Sequence, residues 1–304
     1  MLLGTQRINE AGHLCVGGCD CVDLAERFGT PLYVIDEALL RENCRTYKRA
    51  FGERLDSVEI CYAGKALLCT AICRIMEQEN LGLDVASAGE LYTALKAAFP
   101  PSRIKLHGNF KSDLEIEMAL DAGVGRLVID SLSEIGRVNE IAGRLGKRAD
   151  VLIRVTPGIR VHTHHYVATG HVDSKFGLSL ASSMAEEAVA QAMAAPNLVL
   201  QGFHCHIGSQ IFGLESFARA AELMTSFMAD MHRKHGLVSH ELDMGGGLGI
   251  AYQDEDAPPT IKELSNVICS TLVKCLADHD LPMPKLILEP GRSIVGTPGL
   301  TLYR

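Results

Sequence analysis

Lys65 closes the apolar run Val58-Glu59-Ile60-Cys61-Tyr62-Ala63-Gly64, and helix-forming sequence follows at once. A lysine at the carboxyl end of a buried strand can sit in a low-dielectric pocket. Desolvation there disfavours the ammonium and leaves an amine able to attack a carbonyl and form a Schiff base. The competing reading is an ordinary loop lysine with its charge in water. Far along the chain, Leu288-Glu289-Pro290-Gly291-Arg292 ends a second apolar run with a carboxylate, a rigid turn and a guanidinium. A buried carboxylate beside a ring nitrogen would favour the protonated ring and strengthen it as an electron sink. Taken alone, a Glu289–Arg292 ion pair bracing the turn explains these residues equally well.

Asp243-Met244-Gly245-Gly246-Gly247-Leu248-Gly249 places glycines directly after a strand-like run. Without Cβ atoms, successive backbone N–H groups can close around a phosphate, and a following helix N-terminus would add its positive dipole end. A flexible left-handed turn is the alternative. Ser209 could donate a further hydrogen bond from a neighbouring loop. In Gly202-Phe203-His204-Cys205-His206-Ile207-Gly208-Ser209-Gln210 the two histidines alternate, so both point to one side of a strand. His206, nearer the strand's end, could stack on a flat cofactor. A His204/His206 metal pair lacks nearby acidic partners. His162, His164, His165 and His171 lie in a polar loop, 161–177, that reads as a substrate-facing segment rather than a metal cage. No metal is expected.

These residues need elements to position them. From about Asp36 onward, strand-like runs at 58–63, 83–86, 104–107, 127–130, 151–156, 198–206, 241–244 and 286–289 alternate with helical periodicity at 67–79, 88–98, 112–122, 132–145, 182–194, 216–235 and 260–277. Eight strands alternating with helices over about 250 residues predict an α/β fold of the (β/α)8 TIM-barrel type. An open doubly wound sheet is the competitor. In a barrel, Lys65 after strand one, Asp84 in strand two, Asn109 after strand three and Arg154 with Pro157-Gly158 in strand five share one end with the residues already named. That end is the carboxyl-terminal mouth, where barrels build active sites.

Composition narrows the class. The chain has 304 residues, 47% hydrophobic and 22% charged, with a formal charge of -8 and no strongly basic segment, which argues against a nucleic-acid partner. No apolar stretch approaches the ~20 residues of a membrane span, and the N-terminus lacks a secretory leader. The expected address is the cytoplasm. Ten cysteines lie in mostly apolar settings as reduced thiols. The cluster Cys15, Cys19 and Cys21 has neither a C-x2-C pair nor a second half-site for zinc.

An amine after strand one, a phosphate cradle after strand seven and a carboxylate after strand eight together specify pyridoxal phosphate. The chain resembles the alanine racemase-like barrel group of pyridoxal-phosphate enzymes and, within it, the diaminopimelate decarboxylases. Tyr62-Ala63-Gly64-Lys65 resembles that family's cofactor-lysine motif. The runs Asp84 to Leu91, Gly108 to Ser112, His204 to Ser209, Gly245 to Gly247 and Glu289 to Arg292 follow in family order. His162-Thr163-His164, Thr169-Gly170 and Ser174-Lys175-Phe176-Gly177 resemble the segment marking the diaminopimelate branch rather than the ornithine or arginine decarboxylases.

The resemblance implies decarboxylation of meso-2,6-diaminopimelate to L-lysine and carbon dioxide. Lys65, rather than its rival Lys175, would hold the cofactor, His206 would stack on it, and Glu289 would face the ring nitrogen. Ser209, Gly245, Gly246 and Gly247 would hold phosphate, with Pro290, Gly291, Asp84 and Arg154 also at the cofactor. Arg292 would meet phosphate or the substrate carboxylate. The resemblance further implies a homodimer with shared active sites, and a β-rich domain built from both chain ends that supplies a cysteine proton donor and a cofactor-contacting tyrosine. Residues 1–35, with 31–35 as a strand, would be its N-terminal part, 36–289 the barrel and 290–304 its truncated beginning. Largely unpaired strand edges are expected there, as in a fragment. The alternatives are a decarboxylase of ornithine or arginine, or a catalytically inert cofactor-binding fragment.

Overall fold

Eight short apolar runs become the strands β1 (Val58–Ala63), β2 (Gly82–Val85), β3 (Ile104–Leu106), β4 (Arg126–Ile129), β5 (Ala149–Thr156), β6 (Leu198–His204), β7 (Glu241–Asp243) and β8 (Lys285–Leu288). The computed structural model describes residues 2–159 and 175–304. Each strand pairs in parallel with the next. β8 returns to β1, with Ile287 opposite Glu59, while β4 and β5 pair with Val128 opposite Leu152, so the ring is closed. Closure decides for the (β/α)8 barrel over the open sheet. Six expected strand ends fall one or two residues earlier; among them β3 stops at Leu106 and β6 at His204, leaving His107 and His206 on the loops just beyond.

Around the ring run α1 (Glu37–Gly52), α2 (Thr70–Gln78), α3 (Ala88–Lys96), α4 (Asp113–Ala122), α5 (Leu132–Arg144), α6 (Met184–Ala194), α7 (Leu214–His235) and α8 (Ile261–Asp278). Ser112 with Glu115, and Thr260 with Glu263, form capping boxes that satisfy orphan N–H groups and fix where α4 and α8 begin. Helix α1 is not among the expected helices. Its buried Leu40, Cys44, Tyr47 and Phe51 recur at helical spacing after the N-cap Asp36, and it packs on β1 and α8 to complete the outer layer.

Near the amino-terminal ends of the strands, charges are paired through the barrel. Lys105 meets Glu59 at 2.7 Å, Arg126 meets Glu241 at 2.7 Å, and Lys285 lies between Glu59 and Glu241. These pairs tie β1, β3, β4, β7 and β8 together. Outside the barrel, Arg7–Ile8, Leu14–Val16 and Cys19–Asp20 form a small antiparallel meander. Leu32–Ile35 pairs antiparallel with Gly299–Leu302, so the segment near Pro31 has a strand partner within this chain, contrary to the expectation of a largely unpaired edge.

A second buried ion pair holds the loop that leaves β3. The Lys111 ammonium donates to the carbonyls of Gly108 (2.9 Å) and Val128 (2.6 Å) and to Glu134. The other Glu134 oxygen accepts from the Asp130 N–H at 2.7 Å. Removing one partner strands a buried charge, so Glu134→Ala is expected to cost about 3–5 kcal/mol. Urea unfolding of the variant beside the wild-type protein measures this; a loss below about 1 kcal/mol contradicts it.

Candidate active site

A cleft of about 450 Å³ opens at the carboxyl ends of the strands. Lys65, His206, Ser209, Gly247, Glu289 and Arg292 are among its walls. Six residues separated by up to 227 positions in sequence therefore share one concavity.

The turns around the cleft touch through their backbones. The Ala63 N–H donates to Pro290 O at 3.1 Å, and the Glu289 N–H donates to Gly245 O at 2.7 Å. A Cβ on Gly291 would press on the Cβ atoms of Ala63 and Ala66, both at 3.1 Å. One on Gly246 would run into the backbone carbonyl of Glu289. At Gly246 the opposing main chain leaves no space for a side chain, whereas at Gly291 the two alanine methyl groups would have to give by a few tenths of an ångström. Lys65 sits in the one-turn 3-10 segment Gly64–Ala66, and the Tyr62 hydroxyl donates to Leu67 O at 2.8 Å across that turn. Its side chain is exposed rather than desolvated. The turn, not burial, delivers the amine to the cleft, which corrects the low-dielectric expectation.

The three consecutive glycines divide their work. Gly245 donates its N–H to Asp243 Oδ1 at 2.9 Å, and Gly246 donates to His206 Nδ1 at 3.3 Å. Gly247, at φ +120°, is the one lining the cleft. The next helix along the chain, α8, begins only at Ile261, so the expected helix N-terminus does not adjoin these glycines. Arg292 donates from Nε to Ser209 Oγ at 3.2 Å and from a terminal nitrogen to the Tyr252 hydroxyl. The bracing Glu289–Arg292 pair therefore gives way to a Ser209–Arg292–Tyr252 chain on the cleft wall.

Glu289 turns inward instead. His107 Nε2 lies 2.8 Å from one carboxylate oxygen and His204 Nε2 3.1 Å from the other. All three residues are buried. Burial alone would raise the Glu289 carboxyl, but the two imidazoles outweigh it and hold it well below the ordinary carboxylate range. Burial pushes His204 down to about 3, so its neutral ring donates from Nε2 and leaves Nδ1 as an acceptor, which matches that atom's lack of a partner among the described residues. His204 thus has an acidic neighbour after all, and it pairs with Glu289 and His107 rather than with His206. Asp84 lies 3.6 Å from His107 and is pushed up by burial, with Glu289 adding to the rise. Asp243 is driven well above its usual range by burial and by Glu289.

Arg154 stands back from the cleft, 3.7 Å from Asp130 and with its guanidinium 4.6 Å from the Phe176 ring centroid. Lys175 has its ammonium 5.1 Å from the same centroid. The Asn109 amide donates to Lys175 O at 3.2 Å. His162, His164, His165 and His171 fall outside the described residues. His107, Asp243 and Tyr252 were not singled out from the sequence. A polar residue closing β3 and an acid immediately before a triple glycine were the available signals for the first two.

The residues fit pyridoxal phosphate: a glycine turn with no room for side chains, an ionised carboxylate at the cleft wall, and an exposed amine opposite. Residues 37–296 match the family described as "Pyridoxal-dependent decarboxylase, pyridoxal binding domain". The diaminopimelate decarboxylase of Bacillus subtilis is 42% identical over 302 residues, covering 99% of this chain and 69% of that protein. The chain belongs to the diaminopimelate decarboxylase family. Its counterpart from Mycobacterium leprae is 47% identical over 300 residues, or 97% of this chain and 63% of that protein. The crystal structure of the M. jannaschii diaminopimelate decarboxylase with L-lysine superposes with a TM-score of 0.92 at 37% identity, covering 99% of this chain and 70% of that one. Pyridoxal phosphate is accordingly the cofactor of this fold.

The charge state of the buried cluster sets a pH dependence. A depressed carboxyl contributes stability above its unfolded value, about 4.3, and loses it as pH falls toward the folded value. His204, also depressed, loses stability in the same direction, starting below about 6.5. The melting temperature should therefore fall on acidification and fall more steeply below about pH 4.3. Glu289→Gln should lower it at neutral pH and remove the steeper limb. Equal acid limbs in the two proteins would contradict the charge assignment.

Proposed function

We infer that this chain decarboxylates meso-2,6-diaminopimelate to L-lysine and carbon dioxide, with Lys65, His206 and Glu289 as catalytic residues. The supporting observation is the meeting of Lys65, Gly247, Glu289 and Arg292 around one cleft, in a chain whose relatives carry that activity in their names. A solved relative holding L-lysine adds the product's chemistry.

When bound, pyridoxal phosphate supplies an electron-accepting ring for the electrons left behind by carbon dioxide. The protein's part is placement and charge. Lys65, solvent-accessible on its turn in the cleft wall, would hold the cofactor through its amine. Glu289, kept anionic by its histidines, favours a proton on the ring nitrogen. His206, fixed through Nδ1 by the Gly246 N–H, offers an oriented imidazole face for stacking. Ser209, Gly247 and Arg292 offer donors to a phosphate, with Arg292 also available to a substrate carboxylate. Gly245, Gly246, Pro290 and Gly291 shape that wall, while Asp84 and Arg154 set the field beneath it.

The barrel, residues 36–289, is the cofactor-binding domain in this reading. Residues 1–35 and 290–304 contribute to a β-rich second domain, a division supported by the pairing of Leu32–Ile35 with Gly299–Leu302. The working form is a cytoplasmic homodimer with shared active sites. In support of that address, all ten cysteines are free and no described helix is long and apolar enough to cross a membrane.

The test is carbon dioxide release by the cofactor-loaded protein from meso-diaminopimelate, ornithine and arginine. Diaminopimelate should be preferred by at least about a hundredfold in kcat/KM, and Lys65→Ala should abolish turnover. Faster release from ornithine or arginine would reassign the substrate. Cofactor binding with no release from any of the three would leave a binding protein without this activity.

A further inference from the structure

Below the mouth, inside the barrel, a second group of reactive side chains lies outside the decarboxylation machinery. Lys105 is 2% exposed and Cys61 0%. The Lys105 ammonium lies 2.8 Å from Cys61 Sγ and 2.7 Å from Glu59 Oε1. The sulfur is a large, soft atom, and a nitrogen at that distance is inside ordinary contact separation.

The strand register explains why the two groups cannot separate. Cys61 pairs with Gly82 in β2, and the next β2 residues pair with β3, Asp84 opposite Lys105. The glycine leaves no side chain between β1 and β3, so the Lys105 stem crosses the gap. A Cβ on Gly82 would collide with Cys61 Sγ and lie 3.0 Å from Glu59 Oε1, so the space under the sulfur is already filled. Glu59 also accepts a contact from Cys61 Sγ at 3.2 Å. Glu59 and Gly82 in turn line a cavity of about 360 Å³ at the barrel's amino-terminal end. The buried pair therefore has a solvent-side route for a small oxidant and a carboxylate to carry a proton outward.

We propose that Cys61 and Lys105 form a reversible covalent cross-link through a single oxygen atom, making this part of the barrel an oxidation-sensitive modification site. The oxidant is molecular oxygen. The thiol S–H bond and two ammonium N–H bonds break, one oxygen atom joins sulfur to nitrogen, and the other leaves as water. Sulfur and nitrogen together give up the four electrons that reduce the oxygen molecule. The ammonium's extra proton passes to Glu59 and then to water in the cavity. Two equivalents of an external dithiol reverse the bond: their four thiols supply four electrons, restore the thiol and the amine, release the bridging oxygen as water and leave as two disulfides. The product would clamp β1 to β3 across β2 and remove Cys61 from the pool of alkylatable thiols, a fate open to a cysteine whose neighbour is preorganised.

The experiment compares cofactor-loaded protein held anaerobically with dithiothreitol against the same protein equilibrated in air. Each sample is denatured, alkylated without reduction and digested for mass spectrometry. After air, the peptides bearing Cys61 and Lys105 should appear joined, heavier than their sum by one oxygen less two hydrogens. Alkylation of Cys61 should fall, and both changes should reverse with dithiothreitol. Lys105→Met and Cys61→Ser should each lack the joined species. Full alkylation of Cys61 in the aerated wild-type protein would overturn the proposal, as would Cys61 oxidised to sulfinic acid with no joined peptide. Both readouts come from the wild-type chain and stand even if a variant folds poorly.

Discussion

The architecture depends on main chain meeting main chain at the barrel mouth. The turn after β8 is gripped from two sides: Ala63 reaches Pro290 from β1, and Gly245 and Gly246 reach Glu289 from β7. Gly246 has no room for a methyl group at its contact, and Gly291 has little. Because the turns touch, the groups they carry are held within one small cleft, and Lys65, Gly247, Glu289 and Arg292 face a common volume. Preorganisation here comes from backbone contact, which is stiffer than any pairing of long side chains.

Under that surface lies a second constraint, the buried charge of Glu289. An isolated carboxylate in such a place would be neutral, since burial penalises its ionised form. Two imidazoles from β6 and the loop after β3 reverse the outcome. The neighbouring acids Asp84 and Asp243 go the other way, pushed up by burial and by Glu289 itself. Negative charge is favoured on Glu289, while the acids beside it are shifted toward their neutral forms. That division suits a group whose task is to face a protonated ring nitrogen.

Much of this was legible in the sequence because barrel geometry converts strand order into position. Lys65, Ser209, Gly247, Glu289 and Arg292 each follow an apolar run, and a closed ring brings such ends together. Side-chain direction was harder to read. The Glu289–Arg292 pair that local sequence suggests is replaced by partners up to 182 residues away, because Glu289 points into the barrel and Arg292 along the cleft wall. Lys65 was expected to be desolvated, yet its exposure is set by the 3-10 turn at Gly64–Ala66, which strand periodicity does not reveal. Helix α1 escaped notice since its many charged residues mask the apolar stripe of Leu40, Cys44, Tyr47 and Phe51.

The account stands on Lys65 being the residue that receives the cofactor. Borohydride reduction of the pyridoxal-phosphate-loaded protein, followed by peptide mapping, tests this directly because it fixes the cofactor to whichever amine holds it. The added mass should be found on the peptide containing Lys65. Finding it on Lys175, or on any lysine outside the cleft, would contradict the assignment.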